Sequence, residues 1–209
     1  MKQPVQARSR RTLDAILEAT EGLLRDKPFE EISVAEIILA AGSSTGSFYA
    51  RFPSKEALLP ALYERYHRAL KPRQEAAEAA FGTAPSLASL CEGVARAFAE
   101  SFRAQPNLMR AIVLYARTRS EELAPLIPER AKLHDRILGL FAPFHAEIAH
   151  DDPEAAVRAG LFVMGSAIRE AMLFPGAPMA ANTGLSAAAI QRAAAAMLHA
   201  FLTTRPETS

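Results

Sequence analysis

The sequence predicts an all-helical protein, and three observations support that fold class. Half of its 209 residues are hydrophobic, glycine occurs only 10 times and alanine is frequent, a composition that favours helices. Apolar residues recur at helical spacing through most of the chain. Helix-start signals, such as Asp152 followed by Pro153, stand at the beginning of several of these periodic stretches.

The first predicted helix covers residues 10–25, and a second begins soon after it. Ser33 followed three residues later by Glu36 is a capping box, in which the two side chains satisfy free backbone N–H groups. Apolar residues then follow at helical spacing until Gly42, which can adopt the left-handed conformation that ends a helix. A short second helix with one buried face is therefore expected here.

A third helix is predicted directly after this glycine. Ser43 and Ser44 are candidate N-cap residues, and residues 45–52 make about two helical turns before Pro53 ends them. Two helices joined by a tight glycine turn form a helix-turn-helix. We therefore predict a three-helix domain over residues 1–54 and a second helical domain over residues 55–209.

The second domain is predicted to contain six longer helices. Each predicted start coincides with a capping residue, a proline or the return of apolar periodicity. The expected spans are residues 55–80, 86–104 and 106–119, a helix that starts between Pro125 and Pro128 and runs to about residue 149, and then residues 152–174 and 186–203. Pro143 is expected to kink the fourth of these helices.

The third helix has an unusual side-chain chemistry. No acidic residue occurs between Gly42 and Lys55. Seven potential donors to anionic oxygen fall in this stretch: Ser43, Ser44, Thr45, Ser47, Tyr49, Arg51 and Lys55. Hydroxyl and basic side chains of this kind bind DNA phosphates, and Gly46 would allow close approach to a groove. An ordinary helical hairpin with a polar outer face is the alternative.

The residues after Gly42 resemble a known family. The run Thr-Gly-Ser-Phe-Tyr-Ala-Arg-Phe-Pro-Ser-Lys-Glu-Ala-Leu, at positions 45–58, resembles the signature of TetR-family transcriptional regulators. The resemblance covers about the first 60 residues. It implies an amino-terminal DNA-binding domain, a carboxy-terminal ligand-binding and dimerisation domain, and a palindromic double-stranded DNA operator that a small apolar or amphipathic effector releases.

The resemblance and the chemistry together predict a set of DNA-binding residues. They lie in the amino-terminal arm, at the start of the second helix, along the third helix and at the start of the fourth: Arg10, Arg11, Ser33, Ser43, Ser44, Thr45, Gly46, Ser47, Phe48, Tyr49, Arg51 and Lys55. Many relatives have histidine where this chain has Arg51. Since arginine can bind guanine O6 and N7 together, Arg51 is a candidate base-reading residue. Lys55 is expected to bind a phosphate.

The amino-terminal arm is basic although the whole chain has a net charge of only +1. Lys2, Arg8, Arg10 and Arg11 give the first eleven residues four positive charges and no negative charge. Such an arm could follow the DNA backbone or enter a minor groove. A solvated, frayed terminus is the alternative interpretation.

The last two predicted helices are apolar around most of their circumference. A chain of this size has little room to bury two such helices, so we expect them to form a homodimer interface. The resemblance implies the same arrangement, a four-helix interface between two subunits. Burial of both helices within one subunit is the alternative.

An effector pocket is expected among the middle helices. Its candidate lining consists of large apolar side chains: Phe98, Phe102, Met109, Tyr115, Phe141, Phe144, Met164 and Ile168. Residues of this kind at helical spacing also form ordinary cores, so about half of them are expected to do only that. The effector itself is not specified by the sequence.

Two other classes of protein compete with this interpretation. Glu64 with His67 and Glu147 with His150 have the Glu-x-x-His spacing of di-iron helical bundles. The second competitor is a helical interaction module that keeps a helix-turn-helix only for packing. We expect neither, and we expect no enzyme, cofactor or metal because no catalytic triad or phosphate-binding glycine loop is found.

The single cysteine, Cys91, excludes an internal disulfide and fits a reducing cytoplasm. No apolar run follows the basic residues at the start, so no secretory signal is expected. The longest uncharged stretch, residues 171–191, contains two prolines and two glycines and is expected to be a loop between helices. The predicted location is therefore the cytoplasm, without a membrane partner.

Overall fold

The computed structural model describes residues 3–205, without the side chains of residues 3–6, 8 and 124–130. Lys2 and the side chain of Arg8 therefore lie outside the described residues. The described part of the chain is all-helical, as predicted. Its α-helices are α1 (Gln3–Asp26), α2 (Val34–Ala40), α3 (Thr45–Tyr49), α4 (Leu59–Phe81), α5 (Leu87–Arg103), α6 (Pro106–Thr118), α7 (Ile127–Phe141), α8 (Pro153–Leu173), α9 (Pro178–Ala181) and α10 (Ala187–Thr203).

Four short 3₁₀ segments complete the described structure: Phe29–Glu31, Glu56–Leu58, Ser120–Leu126 and Ala142–Glu147. Two of them alter the predicted helices. The fourth helix was expected to begin at residue 55 but starts as a 3₁₀ turn before α4. The helix expected to continue to residue 149 leaves the α conformation at Phe141, because Pro143 cannot donate the backbone hydrogen bond that would continue α7.

Helix α1 is longer than the sequence indicated. It begins at Gln3 instead of near Arg10, so the described residues of the basic arm, from residue 3 onward, are helical. Pro4 lies in the first turn, where a missing N–H costs no hydrogen bond, and good helix formers follow it. The prediction that the first helix begins near Arg10 was therefore wrong, and the DNA-binding role of the arm stays a prediction.

The chain divides into two compact units. The first consists of Met1–Ala69 and Gln105–Pro125, and so contains α1 to α3, the first half of α4, and α6. In it α1 packs on α2 and α6. The core of this unit is formed by Ile16, Leu17, Leu24, Ile32, Ile37, Phe48, Leu58, Leu62, Leu108 and Ile112. The domain boundary after residue 54 stays a prediction.

The second unit consists of Leu70–Ala104 and Leu126–Ser209. Within its described residues, α5, α8 and α10 pack on one another. Two glycines of α8 allow close packing: a Cβ on Gly160 would overlap Cδ1 of Leu198, and one on Gly165 would lie 3.1 Å from the Phe98 ring. Small residues in α8 therefore set its approach to α10 and α5.

Several predicted helix boundaries are confirmed. Ser86, Asp152 and Ser186 each accept a hydrogen bond from a backbone N–H of the first turn that follows, and Pro153 is the first residue of α8.

Helix α4 contains Pro72 in its interior. No helix among the described residues is both long enough and apolar enough to cross a bilayer.

Candidate nucleic-acid interface

Helix α2 begins with the predicted capping box. The Ser33 N–H donates to Glu36 Oε2 at 2.9 Å, and the Glu36 N–H donates to Ser33 Oγ at 3.2 Å. Lys27 Nζ lies 2.5 Å from Glu36 Oε1. The hydrogen bond from Lys27 and the bonds from Ser33 lower the pKa of Glu36 to about 2. These contacts fix the start of α2.

Gly42 makes the turn between α2 and α3, as predicted. Its φ of 56° lies in the left-handed region, which residues other than glycine rarely adopt. The Gly42 N–H donates to the Leu39 carbonyl at 3.2 Å, and the Ser43 N–H donates to the Ile38 carbonyl at 3.0 Å. This pair of bonds is a Schellman motif, which satisfies the last carbonyls of α2.

Helix α3 is shorter than predicted, and two buried phenylalanines anchor it in the core. Ser44 caps its start by accepting from the Ser47 N–H at 3.2 Å, and the α conformation ends at Tyr49. Phe48 and Phe52 are buried, with ring centroids 5.8 Å apart. The two rings hold one side of α3 in the core, so the opposite side faces solvent.

The solvent-facing side of α3 presents hydroxyls and an open glycine. Ser44, Thr45 and Gly46 are exposed, and Tyr49 is 51% exposed with its ring edge against Phe48. Apart from the adjacent residues and the backbone of α3 itself, no described atom lies within 4 Å of the position that a Cβ on Gly46 would occupy. A phosphate backbone or a groove wall can therefore approach this part of α3 closely.

Two serines beside this surface are less accessible. Ser47 is half-buried, and its Oγ accepts from the Ser44 hydroxyl at 3.0 Å. The Oγ of Ser43 is buried with no hydrogen-bond partner among the described residues. Ser33 is exposed, although its hydroxyl already bonds to Glu36.

Phe48 requires a correction as a DNA-binding residue. Its relative exposure is 0%, so its ring cannot reach DNA. The residue supports the interface from beneath by fixing α3 and the ring of Tyr49, which lies 5.3 Å away. Phe48 lies between predicted contact residues in the sequence, but helical geometry turns its side chain inward.

Lys55 also differs from its predicted role. Its Nζ donates to the carbonyls of Phe29 and Ile32 at 2.8 Å each, and it lies 3.4 Å from the carbonyl of Glu30. An ammonium group has three donors, so these carbonyls occupy all of them. In this structure Lys55 holds the loop ahead of α2 instead of presenting its charge to a phosphate.

Arg51 links α3 to α1. Its Nη1 donates to the Ser47 carbonyl at 2.7 Å, and its Nη2 donates to the Ser9 hydroxyl at 3.2 Å. Arg10 and Arg11, which follow Ser9, are exposed. The basic residues of α1 are thus connected to the third helix by a contact that the sequence did not indicate.

The second interaction that sequence reasoning missed joins α4 to α1. Arg65 lies 3.2 Å from Asp14, 3.7 Å from Glu18 and 3.2 Å from Glu21, which share one side of α1. A cleft of about 340 Å³ lies beside these groups and is lined by Glu21, Arg65, Tyr66, Arg68, Ala69 and Gln105. Spacing along α1 shows an acidic stripe, but only the fold shows its partner.

The predicted effector-pocket residues are divided between the two units. Met109 and Tyr115 belong to the first unit, where Tyr115 donates to the Glu122 carboxylate and burial raises the pKa of Tyr115 to about 12. The other six belong to the second unit: Phe98, Phe102, Phe141, Phe144, Met164 and Ile168. Phe98 packs on Gly165 and, edge to face, on Phe102. The pocket stays a prediction.

The two Glu-x-x-His motifs do not form a metal centre in the described structure. Glu64 pairs with Arg68 at 2.6 Å. The second motif runs from a 3₁₀ segment into a loop, and His150 Nε2 bonds to the Phe201 carbonyl at 2.8 Å. No group of three or more potential metal ligands occurs among the residues that the structure describes.

An apolar face lies on α8 and α10, away from the helix-turn-helix in sequence. Phe162 is 73% exposed, Val163 60% and Met197 66%. The residues of this apolar face recur at helical spacing and are all exposed: Ala155, Ala159, Phe162 and Val163 of α8, with Ala193, Ala196, Met197, Ala200 and Phe201 of α10. Burial of both helices within one subunit, the alternative interpretation, does not account for this exposure.

The capped turn, the short anchored helix and the acid-free surface coincide with a known sequence family. Residues 16–62 match the family model for bacterial regulatory proteins of the tetR family. This region of the chain is a TetR-family helix-turn-helix domain. The match runs from the middle of α1 through α2 and α3 to the start of α4, and so includes the whole helix-turn-helix.

Individual relatives are similar over the same region. The HTH-type transcriptional regulator EthR of Mycobacterium tuberculosis (strain ATCC 25618 / H37Rv) is 49% identical over 51 residues, 24% of each chain. The HTH-type transcriptional regulator YwcC of Bacillus subtilis (strain 168) is 36% identical over 64 residues, 31% of this chain and 29% of that protein. The chain thus matches under a third of the length of these curated relatives.

Solved structures extend the similarity of the fold to nearly the whole chain. A TetR-family regulator from Mesorhizobium loti MAFF303099 has a TM-score of 0.56 at 24% identity, covering 93% of this chain and 96% of that one. PfmR from Thermus thermophilus has a TM-score of 0.54 at 23% identity, covering 88% and 97%. The carboxy-terminal helices therefore follow a TetR-like fold, while identities this low show the fold alone.

Proposed function

We propose that this TetR-family chain is a transcriptional regulator, a cytoplasmic repressor that binds a palindromic DNA operator as a homodimer. The observation that supports it most directly is the exposed side of α3, where Ser44, Thr45, Gly46 and Tyr49 face solvent in an acid-free segment. Hydroxyl donors can bind phosphate oxygens, and the exposed Arg10 and Arg11 add positive charge.

Homodimer formation is proposed through the apolar face of α8 and α10. A soluble monomer rarely exposes a contiguous patch of large apolar side chains, so a second copy of the same face is the natural cover. A two-fold dimer would present two α3 helices to half-sites about one helical turn, or a small multiple, apart. This symmetry is the reason to expect a palindromic operator.

Release by a small apolar or amphipathic effector is the regulatory part of the proposal. The effector would bind among the apolar side chains of the carboxy-terminal unit and favour a dimer whose DNA-binding heads no longer fit adjacent grooves. A coupling free energy of about 1–3 kcal/mol changes operator affinity about 5- to 150-fold. Equal operator affinity with and without an effector that binds the purified protein would contradict this part.

DNA binding is tested by mobility shift with two duplexes, the region upstream of the chain's own gene and a random sequence of equal length. We expect tighter binding to the upstream region, and affinity that falls steeply with salt because phosphate contacts release counterions. Thr45→Ala and Tyr49→Ala should each weaken binding, whereas Arg73→Ala, an exposed charge on α4, serves as the control. Weak binding without preference between the duplexes would favour the interaction module.

A further inference from the structure

The Arg51 side chain bonds to two segments that are far apart in the sequence. Its Nη1 donates to the carbonyl of Ser47, at 2.7 Å, within α3. Its Nη2 lies 3.2 Å from the hydroxyl and 3.4 Å from the carbonyl oxygen of Ser9, in the second turn of α1. One guanidinium group therefore fastens the amino-terminal part of α1 to α3.

These bonds conflict with base reading by Arg51. Bidentate recognition of guanine uses two adjacent N–H donors of the guanidinium fork. In this structure both terminal nitrogens of Arg51 already donate, and three contacts would have to break or shift to free them. Breaking charge-assisted bonds offsets much of the gain from a base contact.

The residues next to Ser9 have the charge and exposure that phosphates require. Arg10 and Arg11 are exposed, and neither guanidinium has a hydrogen-bond or ion-pair partner among the described residues. They sit on a helical stretch near the beginning of the chain, where a terminus not tied down frays. The Arg51–Ser9 contact attaches this stretch of α1 to α3.

We propose that Arg51 is a positioning residue, which holds the amino-terminal turns of α1 beside α3 so that Arg10 and Arg11 bind DNA phosphates. This inference rests on the proposed DNA-binding function. It assigns sequence reading to other residues of α3 and gives Arg51 and Ser9 a shared role. Loss of either should then weaken binding to all DNA sequences by the same factor.

The test compares Ser9→Ala, Arg51→Lys, the double variant Arg10→Ala/Arg11→Ala, and the triple variant that adds Ser9→Ala to the double. Lysine keeps the charge of Arg51 but cannot bond to Ser47 and Ser9 together. Affinities are measured at several salt concentrations for a duplex selected from a random pool by the wild-type protein, and for a random duplex. Arg25→Ala, which removes the same charge at the other end of α1, is the control.

We expect Ser9→Ala and Arg51→Lys to weaken binding to both duplexes by about fivefold and to flatten the salt slope by about one unit. In the Arg10→Ala/Arg11→Ala background, adding Ser9→Ala should change affinity by less than about twofold, because the residues it positions are gone. Arg25→Ala should leave the salt slope unchanged. All variants should unfold at the wild-type temperature, apart from fraying at the start of α1.

A second readout needs no DNA. Ser9→Ala and Arg51→Lys should speed amide hydrogen exchange in the first turns of α1 and leave exchange in α2 unchanged. Unchanged exchange, wild-type affinity for Ser9→Ala, or a changed base preference for Arg51→Lys would overturn the inference. If the wild-type protein itself binds neither duplex at low salt, the proposed function fails. The hydrogen-exchange experiment would then still test whether Arg51 and Ser9 hold the first turns of α1 in place.

Discussion

The Lys55 ammonium group lies 4.6 Å from the centroid of the Phe29 ring and donates to the carbonyl of the same residue at 2.8 Å. The ring is buried, so this cation–π contact is partly shielded from water. Together with the bond to Ile32, it attaches the start of the α4 segment to the loop that leads into α2. Lys55 thus stabilises the frame on which α3 is presented.

Replacement of Lys55 should therefore lower the stability of the fold. We expect Lys55→Ala to lower the free energy of unfolding by about 1–3 kcal/mol, because two short charge-assisted hydrogen bonds and a cation–π contact are lost. Urea unfolding at one fixed protein concentration measures the change. Lys71→Ala is the matched control, since its exposed ammonium makes only a 4.0 Å ion pair with Glu75. Equal stability of the two variants would contradict the structural role.

The capping box of α2 should respond to acid. Since the pKa of Glu36 is lowered from 4.5 to about 2 in the folded protein, its stabilising effect is complete above pH 4.5 and is lost as the pH falls towards 2. Glu36→Gln cannot titrate, so the gap in urea midpoint between wild type and variant should narrow over this range. Lys27→Met removes the largest cause of the lowered pKa, so in that variant the acid-dependent loss of stability should be smaller and should end at a higher pH than in the wild type. Parallel curves for wild type and Glu36→Gln would refute the assignment.

Alanine substitutions at two glycines of the second unit should change the stability in opposite directions. Gly160→Ala should destabilise by about 1–3 kcal/mol, because its Cβ would overlap Leu198 in the packed contact of α8 with α10. Gly139→Ala, on an exposed position of α7 with no atom within 4 Å, should stabilise by about 0.5–1 kcal/mol through helix propensity. Thermal unfolding of both variants at equal concentration gives the comparison. A stabilising Gly160→Ala would show that α8 and α10 pack less closely than described.

The apolar face can be tested by placing charge in it. Phe162→Glu and Met197→Glu should each convert a dimer into single chains, because a carboxylate buried in an apolar interface loses its hydration without a partner. Sedimentation velocity at several concentrations measures the mass. Leu39→Glu is the control, since Leu39 is 83% exposed but lies on α2, outside this face. Wild-type protein that remains a single chain at high concentration would exclude the proposed interface.

Local signals were enough to predict the helix-turn-helix. Ser33 and Glu36 are three residues apart, and Gly42 follows the last apolar position, so the start and end of α2 depend on groups within one or two turns. The same locality explains why the helix starts at Asp152 and Ser186 were predicted correctly. Signals of this kind are encoded in neighbouring residues and need no knowledge of the tertiary fold.

The roles of individual charged residues could not be predicted in the same way. Lys55 was expected to face a phosphate, but its partners lie 23 to 26 residues earlier in the chain. Arg51 contacts Ser9 across 42 positions, a contact that no periodicity indicates. Whether a basic side chain turns to solvent or to a carbonyl depends on tertiary packing, so sequence pattern identifies the surface better than it identifies each contact.

Pro72 gives helix α4 a local weak point. Because proline has no N–H, the Arg68 carbonyl loses the intrahelical acceptor bond that residue 72 would have supplied. The curvature of α4 can therefore change at this turn without breaking another backbone hydrogen bond. If α4 bends, the bend is therefore expected to be centred on the turn that contains Pro72.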